Sequence, residues 1–265
     1  MTIALDVEGA WARLTLERPR VRNAQTPQMW QEWLQALAGL PAQVRIITVH
    51  GAGESFSSGL DRSVLAEAAG LRGRPPAEQV AQIERFQHAF RIWHERAGTL
   101  TIAIVQGAAL GAGCQLASAC DLMWVCPDAQ LGLPEVGLGL VPDLTGTARL
   151  LRRCGPTRAL EVVAAGRTLT GTEACDWGIA TRLLPTDPAA RENAVAAAVT
   201  AILSQPAAAL ASAVDLMRAA DQAEGRAQQE RERTTQVHLL AAFTAPTWPG
   251  SAGEAPTSAP AGVSA

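Results

Sequence analysis

Two short glycine-bearing stretches constrain this chain more than any other feature of its sequence. The first comprises residues 56–61, FSSGLD, and follows an apolar run at residues 44–49. The second comprises residues 107–115, GAALGAGCQ, and follows an apolar run at residues 101–105. Both apolar runs are typical of buried strands. Each stretch therefore places flexible backbone at the end of a strand, because glycine adopts conformations that other residues avoid.

Backbone amides at such turns are candidates for binding a negatively charged oxygen. A turn frees N–H groups that have no partner of their own, and the second stretch leads into a helical segment at residues 112–119, whose N-terminus adds positive potential. Two donors from two loops that converge on one oxygen would form an oxyanion hole. The alternative is that the glycines only permit tight turns and close packing.

Strands and helices alternate through the first 185 residues, which predicts an α/β fold. Predicted strands lie at residues 3–7, 11–16, 44–49, 101–105, 122–125, 130–131 and 181–184. One predicted helix begins after Thr26, and the others lie at residues 78–96, 112–119, 144–153, 157–165 and 172–177. The following pattern is helical to residue 243, with interruptions at Pro206 and Gly225. We predict a core at 1–187, a helical region at 188–245 and a disordered tail at 246–265, which is rich in Ala, Pro, Gly, Ser and Thr.

The composition excludes several kinds of chemistry. The chain has 265 residues, of which 48% are hydrophobic, and its formal net charge of −3 provides no basic surface for nucleic acid. All 22 basic residues are arginine and there is no tyrosine, so Schiff-base chemistry is excluded and a ligand phosphate must be bound by arginine or backbone amides. The four histidines (His50, His88, His94 and His238) show no metal-ligand spacing, so we predict no metal site.

The distribution of charges and cysteines predicts a cytoplasmic protein. Asp6, Glu8 and Arg13 interrupt the first apolar residues, which argues against a signal peptide. The apolar stretch at residues 100–125 contains polar side chains and glycines, so we predict no membrane span there. The five cysteines form no C-x-x-C pair and suit buried thiols in a reducing compartment.

In their order along the chain, these motifs resemble those of the crotonase, or enoyl-CoA hydratase/isomerase, superfamily. The matching segments are Arg22-Asn23-Ala24, residues 56–61, residues 107–115 with Cys120-Asp121 behind them, Pro134-Glu135, and residues 139–143 (GLVPD). The resemblance implies a spiral of ββα units with a C-terminal helical region that packs against neighbouring subunits, giving a homotrimer or a dimer of trimers. It also implies an acyl-CoA thioester as substrate, with coenzyme A as part of the substrate and no separate cofactor.

The resemblance assigns the oxyanion hole to the backbone amides of Leu60 and Ala112. Gly59 and Gly111 precede these residues and belong to the substrate-binding loops. Arg22 lies where the first adenine-contacting loop of the family would be; a solvated surface arginine is the alternative.

Glu135 is the candidate for moving a proton. Pro134 before it fixes the local backbone, and apolar residues surround it in the sequence: Leu131, Leu133, Val136, Leu138 and Leu140. An apolar setting disfavours the charged carboxylate, so we expect a raised pKa that suits proton transfer. In the family this position holds a catalytic glutamate; a solvated loop glutamate is the alternative.

Gln115 departs from the family pattern. In the hydratases of the family the matching position holds a second glutamate, and hydration uses both carboxylates on one water. Glutamine can orient a water or a substrate but cannot exchange a proton at neutral pH. We therefore assign Gln115 to substrate binding rather than to acid–base chemistry.

Asp143, eight residues after Glu135, is a possible second acid. Several isomerase-type members have an aspartate here, and the two carboxyl groups could remove a proton and return it elsewhere on the acyl chain. The competing interpretation is that Asp143 is the N-cap of a helix that begins at Leu144.

The sequence thus predicts an enzyme that hydrates or isomerises an enoyl-CoA thioester through a stabilised enolate. One alternative is a protein that binds acyl-CoA without turnover. Another is hydrolysis or dehalogenation with Asp143 as the nucleophile. The sequence identifies neither the acyl group nor the pathway.

Overall fold

A computed structural model describes residues 1–61, 63–64 and 75–220 of the chain. The strands in these residues are β1 (Ile3–Glu8), β2 (Trp11–Leu16), β3 (Ile46–Gly51), β4 (Leu100–Val105), β5 (Ala108–Leu110), β6 (Leu122–Val125), β7 (Gln130–Gly132), β8 (Thr168–Thr170) and β9 (Arg182–Leu183). The helices are α1 (Pro27–Ala38), α2 (Pro76–Glu95), α3 (Ala112–Ala119), α4 (Gly146–Ala165), α5 (Gly171–Asp176), α6 (Pro188–Leu203) and α7 (Ala207–Ala220). The predicted α/β fold is confirmed.

The strands form two sheets. The larger has six strands in the order β1-β2-β3-β4-β6-β9 and is parallel except for the β1–β2 hairpin. The smaller has three strands in the order β5-β7-β8. Because β4 and β5 are joined by a single short turn, the chain passes from the larger sheet to the smaller one at the second glycine stretch. The glycine turns therefore lie where the two sheets meet.

Helix α1 begins as its capping residues predict. The Thr26 hydroxyl accepts a hydrogen bond from the amide of Met29 at 3.2 Å, and Pro27 occupies the first helical position. The helix buries Trp30 and Trp33 against α2, where Trp30 contacts Phe90 edge-on at 5.4 Å between ring centroids. The spacing of apolar residues predicts a buried face on α2 formed by Val80, Ile83, Phe86, Phe90 and Trp93. Phe90 and Trp93 are fully buried, but Val80 is 63% exposed, so the prediction is wrong at that position.

The two faces of the larger sheet carry separate hydrophobic clusters. The main core lies between that sheet, the smaller sheet and helices α1 to α5. On the opposite face, Ile102, Ile104 and Trp124 pack against Val195 and Val199 of α6. The C-terminal helices thus complete the second layer over the sheet.

Helix α4 differs from the two helices predicted for its region. It runs from Gly146 to Ala165 and is kinked at Gly155, where φ is +78° and Pro156 follows. Its start lies two residues later than predicted, because Thr145 adopts a left-handed conformation with φ of 70°.

Helices α6 and α7 are separated at Pro206, as the sequence predicts. The predicted helical continuation to residue 243, the tail at 246–265 and most of a predicted loop at residues 70–76 lie outside the described residues. No single helix in the described part of the chain is long and apolar enough to cross a membrane. Helices α6 and α7 have the required length and apolarity only when taken together, and the chain bends by 101° between them.

Candidate active site

The two glycine stretches, separate in sequence, lie side by side in the structure. Ser57 pairs with Ala109 in a parallel bridge, in which the Ser57 amide donates to the Ala108 carbonyl at 2.8 Å. The Leu110 amide donates in turn to the Ser57 carbonyl at 3.1 Å. These bonds hold the turn that follows β3 directly against the turn that leads into α3.

Gly59 lies at the closest approach of the two turns. Its φ is +98°, and a Cβ atom there would come within 2.7 Å of the Leu110 carbonyl oxygen. The same Cβ would lie 3.6 Å from the amide nitrogen of Ala112. Only glycine therefore allows this turn to reach the N-terminus of α3.

The amides of Leu60 and Ala112 are both available to a ligand. In the parallel bridge between Gln25 and Leu60, Gln25 bonds to the residues on either side of Leu60, so the Leu60 N–H points away from it. Ala112 is the first residue of α3, and such amides have no carbonyl partner within their helix. Neither amide donates to an acceptor among the described residues.

A buried polar network, which the sequence analysis did not assign, fixes the two turns. Gln25 is fully buried, and its Nε2 donates both to the Ser57 hydroxyl and to the Ala112 carbonyl, each at 3.2 Å. Asn23, also fully buried, donates to the carbonyls of Ala52 and Ser55 at 2.9 and 2.8 Å. The sequence signal for both residues was their position, because Asn23 belongs to the segment Arg22-Asn23-Ala24 and Gln25 follows it directly.

Asp61 and Arg18 anchor the end of the first turn. The Asp61 carboxylate accepts hydrogen bonds from the amide and hydroxyl of Ser63, and it pairs with the Arg18 guanidinium at 2.9 Å. The Ser63 bonds, followed by Arg18, lower the pKa of Asp61. Arg22 lies beside the same turn, where its carbonyl accepts from the Ser58 amide at 2.8 Å, and the residue is exposed.

Glu135 reaches the glycine turns from β7. It lies in a 3-10 turn, Pro134–Leu138, and its Oε1 would be 3.4 Å from a Cβ on Gly111. Its Oε2 is buried and has no hydrogen-bond partner among the described residues. Burial raises the pKa of Glu135, as expected; the Asp143 charge raises it further and a hydrogen bond from Gln115 opposes the rise.

The apolar surroundings predicted for Glu135 are only partly present. Leu131 and Leu133 are buried behind it, with exposures of 2% and 1%. Val136, Leu138 and Leu140 are instead exposed in the described structure, because the 3-10 turn directs them outward. The burial that raises the pKa of Glu135 therefore comes from the side of the sheet and α3.

Gln115 connects Glu135 to the start of α4. Its Nε2 donates to Glu135 Oε1 at 2.9 Å. Its Oε1 accepts from the amides of Leu144 and Gly146 at 2.8 and 3.1 Å. Gln115 is 1% exposed, so these three hydrogen bonds take the place of the hydrogen bonds to water that its amide would make on the surface.

The competing interpretation, that Asp143 is the N-cap of a helix beginning at Leu144, is wrong. The helix starts at Gly146 and Thr145 is its N-cap residue, because the Gln115 oxygen takes the Leu144 and Gly146 amides that a capping side chain would otherwise accept. Asp143 is an exposed residue, yet protein around its carboxyl still raises the pKa of that group. The side-chain amide of Gln87 on α2 donates a hydrogen bond to the backbone carbonyl of Asp143 at 2.8 Å.

These groups together can polarise a carbonyl and move a neighbouring proton. Two amides without acceptors lie near a carboxylate whose pKa is raised, and a second carboxyl acts on the first electrostatically. This combination suits abstraction of a proton next to a carbonyl, because the amides stabilise the charge that develops on oxygen.

Comparisons with known proteins agree with this arrangement. A family model described as enoyl-CoA hydratase/isomerase matches residues 6–244. A Bacillus subtilis protein named as a probable enoyl-CoA hydratase is 38% identical over 180 residues, which cover 67% of each chain. A solved structure from Thermobifida fusca, assigned as an enoyl-CoA hydratase in complex with CoA, is 38% identical; it matches with a TM-score of 0.82 over 91% of this chain and 93% of that chain. A second structure of the same assignment and organism, in complex with acetoacetyl-CoA, is 37% identical, with a TM-score of 0.81 over 91% of this chain and 96% of that chain.

The match covers the glycine turns, the Glu135 segment and both sheets, so the crotonase-like fold implied by the sequence resemblance is confirmed. The chain belongs to the enoyl-CoA hydratase/isomerase family.

Proposed function

We propose that this protein is an enzyme that moves a proton on the acyl group of an enoyl-CoA thioester, with double-bond isomerisation as its reaction. One observation carries the proposal: the Ala112 amide, the Gly59 turn and the Glu135 carboxylate meet around Gly111. Such a meeting of amide donors and a base fits a carbonyl that gains charge while a nearby C–H bond breaks. The Thermobifida fusca structures with CoA and acetoacetyl-CoA support a CoA thioester as ligand.

The reaction proceeds through a dienolate. The thioester oxygen accepts hydrogen bonds from Leu60 and Ala112, and Glu135 removes a proton from C2 of a 3-enoyl thioester. The electron pair of the broken C–H bond delocalises onto the carbonyl oxygen. Return of a proton to C4, by Glu135 or by Asp143, places the double bond between C2 and C3 and restores the carbonyl. The product is an isomer of the substrate.

Gln115 favours isomerisation over hydration. A hydratase of the two-glutamate kind needs a second carboxylate at this position to act on the attacking water. Here the Gln115 oxygen is occupied by two backbone amides, and its NH₂ group is directed at Glu135. Neither end of the side chain is left to activate water.

Hydration is the second candidate. Several relatives, including the Bacillus subtilis protein, carry the name of enoyl-CoA hydratase. In this chain hydration would depend on Glu135 as the base for water, with Asp143 as the other acid. Assembly as a homotrimer or a dimer of trimers belongs to the same proposal.

A panel of 2-enoyl, 3-enoyl and dienoyl CoA esters tests the reaction. Isomerisation changes the ultraviolet spectrum at constant mass, whereas hydration adds the mass of one water. Glu135→Gln should lower turnover by at least ~100-fold, because it removes the general base. Binding of the CoA ester should persist, because the backbone donors remain.

Three results would overturn the proposal. A Glu135→Gln enzyme with an unchanged rate would remove the base from the mechanism. Tight binding of every ester without any product would indicate an acyl-CoA-binding protein. A covalent acyl adduct on Asp143 would indicate hydrolysis or dehalogenation.

A further inference from the structure

We propose that Gln115 is a positioning residue that holds the Glu135 carboxylate in a fixed orientation beside the glycine turns through a hydrogen bond to Oε1. The inference rests on the proposed role of Glu135 in proton transfer. It assigns to Gln115 a function that neither a hydratase glutamate nor a ligand-binding amide would have. The residue acts through Glu135 and does not touch the reacting atoms.

The hydrogen bonds fix the direction of the Gln115 amide. The amides of Leu144 and Gly146 can only donate, so the atom between them must be the oxygen of Gln115. The NH₂ group is then left facing Glu135, where it donates to Oε1 at 2.9 Å. A reversed amide would set donors against donors at one end and two oxygens against each other at the other.

The backbone around Thr145 is shaped to hold this amide. Thr145 adopts φ of 70° and ψ of 0°, which lets the amides on either side of it converge on one oxygen. Gly146 lies so close that a Cβ there would be 2.5 Å from Gln115 Cγ. Since Gln115 is also 1% exposed, its side chain has no room for another rotamer.

The two oxygens of Glu135 therefore differ. Oε1 accepts a hydrogen bond that stabilises negative charge, whereas Oε2 is buried and has no partner in the described part of the chain. The hydrogen bond to Oε1 thus fixes the orientation of the Glu135 carboxylate, with Oε1 at 3.4 Å from a Cβ placed on Gly111.

The electrostatic surroundings of Glu135 define what a pH titration will report. The titratable groups that act on it are Asp143, from the loop before α4, and Cys114, from α3. Burial raises the pKa of Cys114 to about 12, so this thiol stays neutral over the working range. The Gln115 hydrogen bond favours the charged form of Glu135, so its loss should raise the pKa of Glu135 further.

Two substitutions at Gln115 distinguish the role of its NH₂ group from the role of its oxygen. Gln115→Met keeps the approximate volume and removes all three hydrogen bonds. Gln115→Glu keeps an acceptor for the Leu144 and Gly146 amides, removes the donor to Glu135 and adds a second carboxylate, whose charge should raise the pKa of Glu135 beyond the effect of losing the donor. Both should move the acidic limb of the kcat/KM profile to higher pH, and Gln115→Met should lower kcat on the order of 100-fold through loss of alignment.

Gln87→Ala is the matched control. Gln87 also anchors the Asp143 loop, through the Asp143 carbonyl, but makes no bond to Glu135. Loosening of the loop alone would affect the rate of this variant without moving the acidic limb. Equal shifts in the Gln87 and Gln115 variants would overturn the proposal, as would an unmoved limb in both Gln115 variants.

A titration of the free enzyme distinguishes this inference from the proposed reaction. Carboxyl ¹³C NMR of the protein labelled at glutamate identifies Glu135 by the signal lost in Glu135→Gln. The Glu135 titration should move to higher pH in Gln115→Met even if no CoA ester is turned over. An unchanged titration in a folded variant would refute the positioning role alone.

Discussion

Thr145 is a strained residue of the candidate site. It is β-branched and has φ of 70°, a region that such residues rarely adopt. Its hydroxyl oxygen is also buried without a hydrogen-bond partner among the described residues. Both costs follow from the convergence of the neighbouring amides on Gln115. The strain thus maintains the geometry around Glu135, as is common at functional sites.

Thr145→Gly should stabilise the protein. Glycine adopts the left-handed conformation without steric cost and removes the unpaired hydroxyl, although it adds entropy to the unfolded chain. The net gain should be about 1 kcal/mol in the free energy of unfolding, which corresponds to roughly 2–4 °C in Tm. Calorimetry of the full chain measures both quantities. Thr147→Gly, in the first turn of α4, is the control and should destabilise; a lower Tm in Thr145→Gly would contradict the strain argument.

The sequence could predict the chemical identity of the site residues but not their directions. Glu135 was recognisable from Pro134 and its apolar neighbours, and the glycine turns from their place after strands. The orientation of the Gln115 amide depends on the amides of Leu144 and Gly146, which lie 29 and 31 residues away. No local pattern contains such a contact, so the capping prediction for Asp143 was wrong for the same reason.

At the scale of whole elements, Gln25 joins the two turns that carry the candidate oxyanion hole. It lies directly before α1, and its amide bonds to the turn after β3 and to the first residue of α3. Its Oε1 accepts from the Trp30 indole at 3.0 Å, so all these bonds are made in a dry interior. One side chain therefore sets the relative position of three elements.

Gln25→Ala should damage both stability and activity. It leaves the Trp30 indole N–H and the Ala112 carbonyl without their partner, which costs about 2–3 kcal/mol. The movement of Ala112 should also lower kcat/KM by up to ~100-fold, since the donor would no longer meet the substrate oxygen. Urea unfolding and steady-state kinetics measure the two effects.

Gln28→Ala is the control for Gln25. Gln28 is exposed on α1, and among the described residues its side chain bonds only to Glu32, so its loss should change stability by less than ~0.5 kcal/mol. A Gln25→Ala protein as stable and as active as Gln28→Ala would show that the buried amide does not hold the turns.

Elements with a local signal were predictable, whereas those shaped by distant contacts were not. Thr26 and Pro27 specify the start of α1 by capping chemistry within three residues. The start of α4 could not be read in this way, because a side chain from α3 takes the amides that would otherwise begin the helix. Val80 shows a further limit: its position on α2 matched an apolar periodicity, but no layer covers it in the described structure.

In the molecule as a whole, α6 and α7 are attached to the sheet by packing and, among the described residues, by two ion pairs, of which one joins Arg13 of β2 to Glu192 of α6. Arg218 of α7 bonds to Asp121 at 2.6 Å, and also to the carbonyls of Arg96 and Thr99. The Asp121 carboxylate in turn accepts a hydrogen bond from the amide of Thr101 in β4, the strand that precedes the second glycine stretch. The described helices of the C-terminal region, α6 and α7, thus pack against the core.

Two half-buried histidines, His50 and His94, should make the stability of the protein sensitive to acid. Burial, followed by the charges of Arg13 and Arg191, lowers the pKa of His50 to about 3. Burial and nearby arginines likewise lower the pKa of His94 to about 4. In the unfolded chain both should titrate near the ordinary value of about 6.5. Below that pH the unfolded state binds protons that the folded state refuses, so the free energy of unfolding falls.

His50→Gln should therefore flatten the acid dependence of Tm. For a group with a depressed folded pKa, the full stability is present above pH 6.5 and is lost as the pH falls towards 3. The raised pKa values of Glu135 and Asp143 act in the opposite direction, because protonation of those carboxyls favours the folded state. Comparison of the variant with the wild type cancels these terms and isolates His50.

Tm measured by calorimetry between pH 8 and pH 4.5 tests this expectation. The difference between His50→Gln and the wild type should move in favour of the variant at each step below pH 6.5 and stay constant above it. His88→Gln, which removes an exposed histidine of α2 that lies near Leu34 and Ile92, is the matched control. Parallel Tm curves for His50→Gln and the wild type would mean that His50 accepts its proton in the folded protein. The acid sensitivity of the protein would then have to originate at other groups.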